Sequence, residues 1–202
     1  MTGQERRAQL LDVGRSVFAE RGYEAASVEE IASRAKITKP VVYEHFSGKE
    51  GLYAVIVDRE VQSLLGRITD ALIGEDPRTL LEQAASGFLS YIESDPEGFR
   101  ILVRDSPVTS STGSLASVIG DIAMQVEYIL RNEFEQRGFD TKLSPLYSQA
   151  LVGMVALVGQ WWLDEGKPKK EVVAAHLVNL AWNGLRGLEK DPHLRSQEVR
   201  DA

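Results

Sequence analysis

Residues 27–46, Ser-Val-Glu-Glu-Ile-Ala-Ser-Arg-Ala-Lys-Ile-Thr-Lys-Pro-Val-Val-Tyr-Glu-His-Phe, constrain this chain more than any other stretch, because they read as two helices joined by a tight turn. Ser27 followed by Glu30 is an S-x-x-E capping box, and Val28, Ile31, Ala32 and Ala35 recur at spacings of three and four. One apolar face therefore begins there and lasts about two turns. Thr38 is placed to cap the next helix. Pro40 sits in its first turn, where a missing N–H costs nothing, and Val41, Val42 and Phe46 face inward. Two such short helices bury little by themselves, so a third must lie beneath them. Residues 4–21 supply it through Leu10, Leu11, Val13, Gly14, Val17 and Phe18, and Gly22 ends it. The outward residues Lys39, Tyr43 and His45 suit phosphates and base edges in a DNA groove.

The rest of the chain is punctuated as helix throughout. A second capping box, Ser47-Gly-Lys-Glu50, predicts a long helix from Ser47 through Leu52, Ile56, Val61, Leu64, Leu65, Ile68 and Leu72. That is roughly 26 residues, or about 39 Å. Its first turn would offer N–H groups and Lys49 to a phosphate. Asp76-Pro77, Asp95-Pro96 and Ser144-Pro145 each place a capping side chain before a proline at the first helical position. Helices are expected over 77–93, 96–105, 114–137 and 145–165, with a loop at 106–113 and a last helix from Pro168 to Leu188. No β-pattern or internal repeat occurs. The fold class is all-α, about nine helices in total, divided into a three-helix helix-turn-helix domain over 1–50 and a larger helical domain over 51–202.

Net charge at first argues against nucleic acid, since the chain is formally −7. The first fifty residues, however, carry eight basic and eight acidic side chains, so the entire excess lies in 51–202. Within 34–49, Arg34, Lys36, Lys39 and Lys49 face only Glu44, a local basic patch on an acidic body. Zero cysteines exclude disulfides, Cys-based zinc sites and thiol catalysis. His45, His176 and His193 are too scattered for a metal site, and no cofactor motif is present. Glu29 with Glu30, and Asp164 with Glu165, point about 100° apart on a helix and cannot converge on a substrate. With no G-x-S-x-G, phosphate-cradling loop or H-E-x-x-H, nothing supports an enzyme. The start, Met-Thr-Gly-Gln-Glu-Arg-Arg, has no apolar signal and no run reaches a membrane span, so a cytoplasmic protein without a membrane partner is expected.

Phe18, Gly22, Tyr23 and the run Thr38-Lys-Pro-Val-Val-Tyr-Glu-His-Phe-Ser-Gly-Lys-Glu-Gly-Leu-Tyr53 resemble the TetR family of bacterial repressors, specifically over residues 5–55 and by architecture beyond. The resemblance implies a homodimeric regulator whose C-terminal domain dimerises and binds a small molecule. It also implies double-stranded operator DNA as partner. Matched position by position, Ser27, Tyr43, His45 and Lys49 would touch phosphates, and Lys39 with Thr38 base edges, beside Pro40. One position departs: Lys36 stands where the turn usually holds glycine, and positive φ there costs about 1 kcal/mol.

The two terminal helices carry their own message. Residues 150–163 are apolar nearly all round, and 172–188 are apolar on both faces with small Ala174, Ala175, Ala181 and Gly184. A chain with so few helices cannot cover them alone, which predicts a homodimer through residues 145–188, two helices from each subunit. His176 on that surface reads as a packing residue. The aromatics Phe88, Tyr91, Phe99, Tyr128, Trp161 and Trp162 fall mid-domain, where core packing accounts for any one of them. With the resemblance they imply a largely apolar effector pocket. Arg100 and Arg104, four apart, are read as ion-pair partners of Asp58 or Glu60 rather than as ligands for an anion. The expected function is a repressor released from a palindromic operator by a small apolar ligand. The alternatives are a ligand-independent DNA-binding protein of the same fold, or an all-helical carrier or enzyme.

Overall fold

The computed structural model describes residues 1–74, 76–103 and 115–192. Among them are nine α-helices and no strand: α1 Gly3–Ala25, α2 Val28–Arg34, α3 Lys39–His45, α4 Lys49–Ala71, α5 Pro77–Ser94, α6 Pro96–Val103, α7 Leu115–Arg137, α8 Ser144–Glu165 and α9 Lys170–Arg186. One 3₁₀ turn, Thr141–Leu143, precedes α8. Arg104, the expected loop at 106–113 and His193 lie outside the described residues.

Local chemistry accounts for the boundaries, with five corrections, the first at Ser144, which does not cap α8 but is its first residue and donates its hydroxyl to the Thr141 carbonyl at 2.6 Å. Thr2 and Glu5 form a reciprocal capping box at the start of α1, and the backbone leaves helical geometry at Gly22, where φ is 75°. Ser27 caps α2 by accepting from the Glu30 N–H at 3.1 Å. Only half of that expected box forms, because the Glu30 carboxylate turns to Arg34 at 2.7 Å. Thr38 is the N-cap of α3 but makes no side-chain cap bond. Nor does Ser47 start α4: Gly48 is its N-cap at φ 100°, a region closed to most L side chains. At the other end of the body, α9 begins after Pro168 rather than at it, since the Pro168 carbonyl accepts the Trp162 indole N–H at 2.7 Å.

The turn between α2 and α3 is a Schellman motif. Lys36 N–H reaches the Ser33 carbonyl and Ile37 N–H the Ala32 carbonyl, at 3.1 and 2.9 Å, with Lys36 itself at φ 56°. The strain expected from a non-glycine residue is therefore present. Lys36→Gly should raise the unfolding free energy by about 0.5–1 kcal/mol, read as a higher urea midpoint at unchanged slope. A lower midpoint would mean that the lysine side chain offsets the strain.

One buried apolar cluster runs from Leu10, Val17 and Phe18 of α1 through Leu52, Ile56 and Leu64 of α4 into α5, α6, α8 and α9. α1 crosses α4 closely at Gly14, where an added Cβ would stand 2.9 Å from Leu52 Cδ2. α4, about 35 Å long at 1.5 Å per residue, thus has its first turn at the α1–α2 junction, where Lys49 meets Tyr23 and Ala26, and its last turns against α5, where Gly87 lies beside Arg67, Ile68 and Ala71. α6 lies along both α1 and α4.

Candidate nucleic-acid interface

Burial fixes how α3 is turned. Val42 is fully buried and Phe46 nearly so, which leaves Thr38, Lys39, Pro40 and Tyr43 on the outside. Tyr43 is 51% exposed, and its ring edge lies beside Gly48, where an added Cβ would stand 3.3 Å from Cε1. From below, Arg7 donates to the His45 carbonyl at 2.7 Å and stacks 4.2 Å over the Phe46 ring. A guanidinium there satisfies an orphan carbonyl at the negative end of the helix. Arg7 belongs to no motif, and residue spacing alone could not have found it.

Of the seven residues matched to DNA, Thr38, Lys39, Pro40 and Tyr43 share this outer face. Half-buried Ser27 and His45 sit at the start of α2 and the end of α3. Lys39 is paired with exposed Glu29 at 2.5 Å; hydrogen bonding raises the lysine pKa and lowers that of the glutamate. A phosphate or base edge must displace that carboxylate. Lys49 is placed otherwise than expected. Its ammonium donates to the carbonyls of Tyr23, Ala26 and Glu24 at 2.9, 3.2 and 3.4 Å, and lies 4.3 Å over the Tyr23 ring. It clamps the α1–α2 junction instead of facing open solvent, because the kink at Gly22 leaves those carbonyls without helical partners.

The six aromatics assigned to an effector separate into two groups. Phe88, Tyr91, Phe99 and Trp162 are buried; the Phe99 ring meets Phe88 and Tyr91 edge-on at 5.5 and 6.4 Å. α8 is pressed onto this group, since a Cβ at Gly159 would stand 2.4 Å from Phe88 Cε1. Tyr128 and Trp161, by contrast, are 70% and 52% exposed and do not join them. Two surface hollows of about 240 and 260 Å³ open instead along α1, the first lined by Ala19, Glu20, Glu97 and Arg100 and the second by Leu11, Asp12, Arg15, Ile56, Arg59 and Glu60. Neither contains any of the six aromatics.

Glu60, one of the two carboxylates expected to pair with Arg100 or Arg104, is held instead by Arg15. Its Nε donates to Glu60 Oε1 at 2.7 Å, Nη2 reaches Asp95, and Nη1 stands 3.6 Å from Glu97. Burial alone would lower the Arg15 pKa, but hydrogen bonds to Glu60 and Asp95 outweigh it and raise it. Tyr91 donates to the other Glu60 oxygen at 3.1 Å; burial, then the nearby carboxylates, hold its phenol protonated well above the usual range.

On the outer side of the body, α8 and α9 carry exposed apolar residues. Leu146, Leu157 and Trp161 on α8, with Val172 and Leu180 on α9, are between 43% and 67% exposed. The span Thr141–Glu165 is long and apolar enough by composition to cross a membrane, yet only 22% of its apolar 18-residue stretch is buried within the subunit. Among the described residues no cluster of His, Cys, Asp and Glu could hold a metal ion.

Residues 10–56 match the bacterial regulatory proteins of the tetR family, and residues 77–184 the tetracyclin repressor-like C-terminal domain. The HTH-type transcriptional activator FasR of Mycolicibacterium smegmatis is 34% identical over 187 residues, covering 90% of this chain and 83% of FasR. The HTH-type transcriptional repressor KstR2 of Rhodococcus jostii is 37% identical over 78 residues, 38% of each chain. Among solved structures, a TetR-like transcriptional regulator from Rhodococcus sp. RHA1 is similar with a TM-score of 0.76 at 28% identity, covering 91% of this chain and 97% of that one. The regulator PfmR of Thermus thermophilus is similar at 0.70 and 26%, covering 92% and 98%.

Proposed function

Because the chain belongs to the TetR family of bacterial regulatory proteins and is thereby a DNA-binding transcriptional regulator, we propose that it acts as a homodimer on a palindromic operator. Residues 1–50 read the DNA. Residues 51–202 pair the subunits and receive a small, largely apolar effector. The observation that carries the dimer is the apolar stripe of α8, Leu146, Ala150, Gly153, Leu157 and Trp161, which the subunit itself leaves uncovered. A two-fold mate laid across it would complete a four-helix bundle and give two copies of α3 a fixed relation.

In this reading Thr38, Lys39, Pro40 and Tyr43 enter the major groove, Lys39 at a base edge and Tyr43 at phosphate, with Ser27 and His45 at the flanking backbone. Lys49 acts from beneath, by holding the α1–α2 junction. The effector site is the part least prepared in this conformation: Phe88 and Phe99 meet edge-on and α8 presses on Phe88 at Gly159, so a ligand must part α8 from α5 to reach them. The match to the tetracyclin repressor-like C-terminal domain supports this assignment. Such a ligand shifts DNA binding only by its difference in affinity between the parted and closed arrangements. The sense of regulation is proposed as repression, although FasR is named an activator; an operator overlapping the promoter gives the first and one upstream of it the second.

Enrichment from random duplexes tests the reading. A two-fold sequence with half-site centres about 34–36 Å apart is expected, and enrichment of nothing but nonspecific DNA would remove it. Against the enriched site, Lys39→Ala should weaken binding about 5- to 150-fold and relax preference at one base pair. Equal loss on every sequence would reassign Lys39 to phosphate. Release of a preformed operator complex by apolar molecules, followed through Trp161 and Trp162 fluorescence, tests the effector.

A further inference from the structure

α1 is the helix through which the DNA-reading end meets the body, and along it the contact is uneven. The apolar part of the seam, Gly14 against Leu52 and Ile56, sets how closely the helices approach, but the burial that drives it is non-directional. The two hollows of about 240 and 260 Å³ both lie beside α1, one on its α6 side and one on its α4 side. Arg15 stands at this divide: it lines the second hollow, while its partner Glu97 lines the first. Where packing is open on both sides, a directional contact decides the angle.

Arg15 provides that contact. Its planar guanidinium binds Glu60 of α4 together with Asp95 and Glu97 at the start of α6. Two of these partners are themselves fixed. Glu60 is 6% exposed and accepts from Tyr91, and Asp95 accepts from the Gly98 N–H at 3.0 Å. A buried ion pair of this kind is a weak source of stability, since apolar replacements often do as well. What it supplies is geometry, because a rigid fork satisfies several carboxylates in one orientation only.

We propose that Arg15 is a positioning residue that locks the angle of the DNA-reading end on the body and thereby sets which half-site spacing the dimer accepts. The proposal rests on the dimeric reading above. Each added base pair moves a half-site by about 3.4 Å along the duplex, so a locked pair of α3 helices tolerates little change and an unlocked pair tolerates more.

The experiment uses full-length protein and the enriched duplex rebuilt with zero, one or two base pairs added or removed between half-sites. Wild type should lose at least about tenfold per two base pairs. Arg15→Lys, which keeps the charge but loses the fork, and Glu60→Gln, which keeps the shape, should compress that range to about threefold or less. The dependence of affinity on salt should stay unchanged, because no phosphate contact is touched. A uniform loss at every spacing, or an unchanged profile in variants shown by circular dichroism to be folded, overturns the proposal. Failure to enrich any two-fold site removes the dimeric reading, and this one with it.

Discussion

Gly153→Arg should leave the subunit folded and abolish the dimer. A Cβ built at Gly153 meets nothing within 4 Å, so the isolated subunit has room for the side chain. Gly153 nevertheless lies at the centre of the stripe formed by Leu146, Ala150, Leu157 and Trp161. Against a two-fold mate the arginine would bury an unpaired charge, at a cost of about 3–5 kcal/mol, or about two to four orders of magnitude in dimer affinity. Operator binding falls with it, because the second half-site no longer gains from tethering, worth about 10²–10⁴ in affinity. Light scattering of the variant should give the subunit mass at micromolar concentration, with wild type at twice that. A monomeric wild type would end the proposal that α8 and α9 pair subunits. Ala181, by contrast, is buried against its own subunit, and a charge there would test folding rather than assembly.

That contrast shows where reading the chain from its residues succeeds and where it stops. Helix starts were legible where a single side chain does the work, as at Ser27 and Asp76, which both cap as expected. At Ser47 the same four-residue signal misleads, because Gly48 takes a backbone conformation at φ 100° that no capping pattern encodes. The outer face of α3 follows from the spacing of Val42 and Phe46, so Thr38, Lys39, Pro40 and Tyr43 could be placed together without coordinates. For the aromatics, spacing within a helix gives only relative angle. Trp161 and Trp162 are neighbours about 100° apart, so they could not both face the core, and α8's apolar surroundings gave no sign which would.

Contacts between distant segments were the least accessible. Lys49 meets carbonyls 23 to 26 positions away, and Arg15 meets Glu60 and Asp95 at separations of 45 and 80. Nothing local distinguishes Arg15 from the other basic residues of α1. Pairing Arg100 or Arg104 with Asp58 or Glu60 overlooked Arg15 for that reason: several arginines fit the charge, and only the crossing of α1 over α4 and α6 decides among them.

Gly98→Ala should disrupt that crossing without removing any of its charges. A Cβ at this position would stand 2.1 Å from Glu60 Oε2, 2.7 Å from the Tyr91 hydroxyl and 2.9 Å from Arg15 Nη2. All three atoms end flexible side chains, and elsewhere such a clash would be relieved cheaply. Here they hold one another, so any atom that yields breaks a bond to the next. Glu60 is 6% exposed at the base of the second hollow and is held from two sides by Arg15 and Tyr91, so it cannot turn away without losing one of them. Overpacking of this kind costs about 1–3 kcal/mol, and loosening the buried pair adds to it. The substitution should therefore lower the urea midpoint clearly, with the slope preserved. Glu60→Gln in the Gly98→Ala background separates the two contributions. If the clash acts through the charge pair, the double variant should lose less than the sum of the singles, because contacting residues couple. Strict additivity would mean that Gly98 is needed for backbone closeness alone, and that Arg15 and Glu60 hold α6 independently of it.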